Sequence, residues 1–234
     1  MPYSDFVIVI PVYNHEQRLA EVIRSALRLE MPVFVVDDGS TDGTGGILDD
    51  IGNINVLRHQ INQGKGAALL TGFAAAGNRY KWAVTIDADG QHDPADALNL
   101  IKAVPSGQRP IIIGQRQGMA QGHVPWTSKS GRRFSNFWVW VAGGPLLRDS
   151  QSGFRLYPLP ECLNLGVKAR RFQFEVEVLV KAKQQGIPVL ETPVQVVYQP
   201  GAARVSHFRP FIDFCRNFAT FSRLICSRIF RISK

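Results

Sequence analysis

Two patterns of apolar residues alternate through the first half of the chain. Short, continuous apolar runs at Phe6–Ile10, Pro32–Val36, Ile54–Leu57 and Trp82–Ile86 predict buried strands. Between them apolar residues recur every three or four positions, as in Leu19, Val22, Ile23, Ala26 and Leu27, which predicts a helix over Glu16–Leu29. A second helix, capped by Thr41 or Asp42, is predicted to run to Ile51, and a third over Gly64–Ala76. Strands that are apolar throughout and joined by helices predict a mostly parallel sheet flanked by helices on both faces, an α/β, Rossmann-like architecture. In such sheets ligands sit beyond the carboxyl ends of the strands.

The second half is less regular. Phe172–Val180 is apolar yet carries Glu175 and Glu177, and carboxylates in such a stretch need partners or a function. Trp126–Leu147 mixes Lys129, Arg132 and Arg133 with Phe134, Phe137, Trp138 and Trp140, as a lid close to a membrane or a core helix would. Towards the C-terminus Phe211, Phe214, Phe218, Phe221, Ile225, Ile229 and Ile232 recur at helical spacing, with Arg209, Arg216 and Arg223 on another stripe. We expect a domain over 1–206 followed by a basic amphipathic helical extension over 207–234. That extension suits an anionic lipid surface; packing on the domain or on another protein is the alternative.

Charge sharpens this division. The chain carries +8, and Phe208–Lys234 supplies +5 of it through Arg209, Arg216, Arg223, Arg228, Arg231 and Lys234 against Asp213. No zinc-finger, helix-turn-helix or RNP-like pattern accompanies the basic residues, so the expected partner is an anionic membrane surface and not nucleic acid. With 234 residues, 45% of them hydrophobic, the chain has enough for one sizeable core. Cys162, Cys215 and Cys226 form no C-x-x-C pair, which argues for reduced thiols, and the apolar run that stops at Pro11 is too short for a signal peptide or a span. The expected location is cytoplasmic, peripherally attached to the inner face of the cytoplasmic membrane.

Polar residues collect where the predicted strands end. Pro11-Val12-Tyr13-Asn14 follows the first strand, Asp37-Asp38-Gly39-Ser40 the second, Asn62-Gln63-Gly64-Lys65-Gly66 the third, and Asp87-Ala88-Asp89-Gly90-Gln91-His92-Asp93 the fourth. The last is the most informative, because two carboxylates one residue apart at a sheet edge offer hard oxygen ligands through which a divalent cation can bridge to a diphosphate. An Asp-rich turn with Gly90 at positive φ is the plain structural alternative. Tyr13 suits stacking on a base and Asp38 suits bonding to a base or ribose; rim packing and turn capping are the alternatives. Gly64-Lys65-Gly66 at a helix start suits a phosphate, but it matches neither a P-loop nor a dinucleotide fingerprint, and a tight strand-to-helix turn is the preferred reading.

Taken in order, Val9-Ile10-Pro11-Val12-Tyr13-Asn14, Val35-Val36-Asp37-Asp38-Gly39-Ser40, Asn62-Gln63-Gly64-Lys65-Gly66, Asp87-Ala88-Asp89-Gly90-Gln91-His92-Asp93-Pro94, Gly114-Gln115-Arg116, Asp149–Tyr157 and Phe172-Gln173-Phe174-Glu175 resemble the family 2 glycosyltransferases. The similarity is greatest to the dolichyl- and polyprenyl-phosphate sugar synthases. It implies a GT-A fold, a nucleotide-diphosphate-sugar donor and Mg²⁺ or Mn²⁺. By the same resemblance Pro11, Tyr13, Val36 and Asp38 hold the nucleoside. Asp87, Ala88 and Asp89 bind donor and metal, Gln91 is a further metal ligand, and Arg116 lies near the phosphates. Arg132, Arg133, Arg204 and His207 are the candidates for an acceptor phosphate; for Arg132 and Arg133 a solvated or headgroup-facing pair is the alternative. Two departures stand out: His15 precedes Glu16 where the synthases usually carry an acid directly after Asn14, and Val205-Ser206-His207-Phe208 replaces a lysine-bearing phosphate clamp. Ser206-His207-Phe208 and Trp138-Val139-Trp140 also resemble short bacterial family 2 enzymes of envelope lipids.

The resemblance implies inversion through one in-line displacement at the anomeric carbon. A lipid phosphate acceptor arrives ionised and needs positioning more than a base, whereas a hydroxyl acceptor needs a carboxylate to take its proton. Asp149, Glu175 and Glu177 are the candidate bases, with Asp89 on the donor side. A catalytically silent nucleotide-sugar-binding or membrane-binding module is the remaining class, and the intact pair Asp87 and Asp89 fits it poorly.

Overall fold

The computed structural model describes residues 3–117, 126–196 and 218–228. The apolar runs of the first half form β1 (Phe6–Val12), β2 (Val33–Asp37), β3 (Asn55–Arg58) and β4 (Trp82–Thr85), alternating with α1 (Glu16–Leu27), α2 (Thr44–Asp50) and α3 (Lys65–Ala76). Helix α2 starts later than Thr41 because Asp42 is taken up in the turn. Its Oδ1 accepts from Thr44 N at 3.0 Å and its Oδ2 from Glu16 N at 3.3 Å. Strand β1 runs through Pro11, which a central strand would not normally tolerate. Val9 O accepts the bond from Ile86 N on the β4 side, and β4 pairs with β1 only as far as Val9. Pro11 therefore presents its missing N–H to an edge that β4 has already left.

The remaining elements are α4 (Ala97–Lys102), β5 (Ile111–Arg116), α5 (Trp126–Val141), β6 (Arg155–Pro158), α6 (Leu159–Leu163), α7 (Phe174–Gln184) and β7 (Val189–Val194), with helix α8 over 218–228. They complete a seven-stranded sheet of order β3-β2-β1-β4-β6-β5-β7. All pairings are parallel except those of β6, which runs against both β4 and β5. That reversal matters for function. The segment leading into β6, Asp149–Phe154, lies at the same sheet edge as the ends of β1, β2, β4 and β5.

Alternation along β1 divides the core. Ile8, Ile10 and Val12 face Leu19, Val22 and Ile23 of α1, while Val7 and Val9 face Ala68, Leu69 and Phe73 of α3 and, within the same cluster, Val178 and Leu179 of α7. A smaller cluster joins Val139 and Ala142 of α5, Val176 and Val180 of α7, and Phe221 and Leu224 of α8. Among its charged residues, Arg223 donates to Glu177 Oε2 at 2.6 Å, so this arginine anchors α8 to α7, and Arg228 donates to Val141 O at 3.0 Å. The described part of the tail is thus packed on the domain, with Phe218 turned outward. The 206/207 boundary and Arg209, Phe211, Phe214, Arg216, Ile229 and Ile232 lie outside the described residues.

Truncating Phe221 empties the centre of this third cluster. Phe221→Ala should destabilise the protein by about 3 kcal/mol in urea unfolding and open α8 to trypsin at Arg223. Unchanged cleavage would mean that α8 is not held by this packing.

Candidate active site

Glycines set up the first part of the site. A Cβ on Gly64 would lie 2.6 Å from Arg170 O, and one on Gly66 2.5 Å from Phe174 Cβ. Without side chains there, the segment leading into α7 packs directly on the start of α3, and Ala67 N donates to Arg170 O at 2.8 Å. This close approach brings Glu175 beside Lys65. Lys65 Nζ then lies 2.5 Å from Glu175 Oε1 and 2.6 Å from Asp87 Oδ1.

Gly153 closes the other side. A Cβ there would sit 2.5 Å from both Asp87 Oδ2 and Lys65 Nζ, so only bare backbone fits. Burial disfavours the Lys65 ammonium, but the charges of Asp87 and Glu175 outweigh it and push its pKa above the ordinary lysine value. Burial likewise opposes the Asp87 carboxylate, and Lys65 reverses this, holding Asp87 below its usual range. Asp89 moves the other way: burial, and then the Asp87 charge, raise it. Its Oδ1 accepts from Gln91 N at 3.0 Å. Among the described residues no three His, Cys, Asp or Glu side chains converge into a ready cage for a metal. Two neighbouring carboxylates nonetheless make a hard-oxygen donor set that fits Mg²⁺ or Mn²⁺ once a diphosphate supplies the remaining oxygens.

The second part is built around Asp149. It is fully buried, and Arg116 grips it with two parallel bonds of 2.8 Å, Nε to Oδ2 and Nη2 to Oδ1. Arg132 Nη1 stands 4.0 Å from Asp149 Oδ2, whereas Arg133, its neighbour on α5, is exposed. The polar turn that follows Asp149 is interior, with Ser150 and Ser152 buried. The reason is Arg155, a fully buried guanidinium that donates to Ser150 O, Ser152 O and Glu175 O at 2.6–2.8 Å. Arg155 thereby ties this turn to the first turn of α7.

Several expected residues act through the fold. Asp38 is almost wholly buried; its Oδ1 takes bonds from His59 Nδ1 at 2.7 Å and Gln63 N at 2.9 Å, and its Oδ2 one from Gly64 N at 2.7 Å. It therefore holds the turn that presents Lys65. Pro11, Val36 and Ala88 are buried and have mainly backbone to offer a ligand, while Tyr13 and Gln91 are part-exposed at the edge. Glu177 lies two residues beyond Glu175 and so points roughly 200° around α7. It accepts from Ala169 N at 2.8 Å and from Arg223, away from the Lys65 cluster. Arg204 and His207 lie outside the described residues.

Local sequence assigns no role to Gly153, Arg155 or His92. Lys65, by contrast, carried a local signal, a lone cation between two glycines at a helix start. His92 is buried and stacks on Phe154 with ring centroids 5.0 Å apart, and its Nδ1 has no hydrogen-bond partner among the described residues.

Comparison with known proteins places these residues in a family. The sequence profile described as Glycosyl transferase family 2 matches residues 7–158. An uncharacterized protein of Methanocaldococcus jannaschii is 32% identical over 83% of this chain and 82% of its own. A polyprenol monophosphomannose synthase of Mycolicibacterium smegmatis is 30% identical over 82% of this chain and 77% of its own. A UDP-N-acetylglucosamine–dolichyl-phosphate N-acetylglucosaminyltransferase of Methanococcus voltae is 28% identical over 82% and 85%.

Two outcomes follow from the geometry. Gly153→Ala should split the Lys65–Asp87 contact and lower turnover roughly 10- to 100-fold, with thermal melting checking that the fold persists. His92 supplies a pH dependence, since burial lowers its pKa from 6.5 to about 4. The unfolded chain binds this proton more readily, so stability is full above pH 6.5 and falls as pH drops towards 4. Between pH 7.5 and 5 the loss from His92 alone should be about 2 kcal/mol in urea unfolding, and His92→Phe should remove that part of the slope.

Proposed function

Since the chain belongs to glycosyl transferase family 2, we propose that it moves a sugar, with inversion, from a nucleotide-diphosphate-sugar to a polyprenyl phosphate or related lipid phosphate. One observation carries the choice of acceptor. The two carboxylates best placed to serve as a base, Asp149 and Glu175, are each held by a cation, Arg116 in one case and Lys65 in the other. Oxygens engaged in these contacts are not open to a hydroxyl's proton. A phosphate needs no base, because it arrives ionised, and cations to receive it stand close by. The two relatives named for polyprenol monophosphomannose and dolichyl-phosphate products support the same acceptor class.

On the donor side, Asp87 and Asp89 would hold Mg²⁺ or Mn²⁺ with the Gln91 side chain beside them. Bound there, the cation supplies neutralisation of the charge that develops on the leaving diphosphate. Tyr13 at the end of β1 faces the nucleoside, with backbone from Pro11, Val36 and Ala88 lining that wall and Asp38 holding the turn behind it. On the acceptor side Arg116, oriented by Asp149, and Arg132 bind the lipid phosphate, and Arg204 and His207 are assigned to the same phosphate. An acceptor oxygen attacks the anomeric carbon as the bond to the diphosphate oxygen breaks, and the electron pair departs on the nucleoside diphosphate. No proton changes hands. Asp149 and Glu175 are then positioning residues, and Asp89 contacts the donor.

Access to a lipid requires a surface. Along α5, Phe134, Phe137 and Trp140 follow at intervals of three and are 40%, 54% and 55% exposed, with Arg133 exposed among them. Among the described residues no helix is long and apolar enough to cross a membrane. We assign this aromatic and basic face, with the outward Phe218 of α8, to the headgroup region of an anionic leaflet, with the enzyme peripheral to the inner face.

Incubation with labelled UDP- and GDP-sugars plus either polyprenyl phosphate or the neutral polyprenol tests the acceptor. Label should enter only the phosphate-bearing lipid, in a product labile to mild acid; transfer to the neutral lipid would overturn this reading. Asp89→Asn should lower the same turnover at least about 100-fold while leaving the fold intact, measured by circular dichroism.

A further inference from the structure

Resting on the donor reading above, we propose that Lys65 is the residue that makes divalent cation and donor load together. The ammonium occupies Asp87 Oδ1 at 2.6 Å, so the side chain expected to ligate a cation is already engaged by a tethered charge. A cation arriving alone must displace or repel that ammonium. Glu175 holds Lys65 at 2.5 Å and Gly153 backbone stands on one side, so without a second anionic partner the ammonium stays on Asp87.

A nucleoside diphosphate changes the balance. Its oxygens offer the ammonium a second anionic partner at the same sheet edge, so Lys65 can pivot about Glu175 towards the phosphates and release Asp87. Asp87, Asp89 and Glu175 stand against the single ammonium of Lys65, so the edge carries two surplus negative charges that repel a diphosphate arriving without a cation. Glu175 has a distinct task here: it keeps Lys65 within reach of both partners and touches no substrate. Binding of cation and of diphosphate then favour each other, and the coupling is reciprocal.

The test is Mn²⁺ binding by the full chain, followed by electron paramagnetic resonance. Titrations are run alone and with saturating UDP or GDP, and corrected for Mn²⁺ held by free nucleotide. In the wild type, one of the two nucleotides should tighten Mn²⁺ binding at least roughly tenfold. In Lys65→Met, Mn²⁺ alone should bind roughly tenfold more tightly than in the wild type, and the gain from nucleotide should shrink towards one. Because Lys65→Met leaves two carboxylates without their cation, the double variant Lys65→Met/Glu175→Gln is measured alongside and should show the same loss of coupling.

Nucleotide coupling in Lys65→Met or the double variant equal to that of the wild type would overturn the inference and leave the metal assignment standing. Wild-type protein that binds Mn²⁺ equally well with and without nucleotide would also overturn it. Wild-type protein that takes up no Mn²⁺ with either nucleotide would overturn both the inference and the metal assignment, and Asp89→Asn provides the reference for that result.

Discussion

The ammonium of Lys65 between Asp87 and Glu175 is the interaction on which the arrangement of the site depends. Three elements that are distant in sequence meet at it: the first turn of α3, the end of β4 and the first turn of α7. Taking three charges out of water is costly, and mutual attraction offsets that cost only when geometry is close and no member lacks a partner. Here the glycines at 64, 66 and 153 permit the close geometry by removing every side chain that would hold the segments apart. The cluster is specific because its failure is expensive: losing the cation would leave two carboxylates facing each other at a partly dry edge.

Arg155 performs the corresponding task for the half of the site built on Asp149 and Arg116. It is a buried guanidinium whose bonds go mainly to backbone carbonyls, so it fixes chain path and not a single side chain. The turn it holds carries Asp149, and Asp149 in turn orients Arg116 through a two-pronged contact, the geometry in which arginine and carboxylate bind most strongly. Both halves of the site are therefore supported from the same interior. Gly153, in the turn that Arg155 ties down, also touches the Lys65–Asp87 pair.

The antiparallel strand β6 is what allows this convergence. In a fully parallel sheet the residues preceding a strand lie at the opposite edge from the ligand. Reversal of β6 delivers Asp149–Phe154 to the edge where β4 delivers Asp87 and Asp89 and β5 delivers Arg116. Helix α8 closes the unit from the far side, where Glu177 accepts from both the 168–169 backbone and Arg223. The same helix α7 thus presents one acid to the site and another to the tail, because residues two apart point to nearly opposite sides.

Local pattern alone determined the parallel first half of the sheet, its flanking helices and the edge at which chemistry collects, because burial on both faces imprints continuous apolar runs and strand ends leave polar turns behind them. It also singled out Asp87 and Asp89, whose spacing carries its own meaning. Contacts across long separations left no such imprint. Nothing near Lys65 in the chain announces Glu175, and nothing near Asp38 shows that its carboxylate would be consumed by His59, Gln63 and Gly64. The second half was least legible, since the order of strands β5, β6 and β7 depends on pairing partners far away in the chain. Only the tertiary structure decided which carboxylates are held by cations, because a carboxylate's partner is set by where the chain folds back and not by the residues beside it.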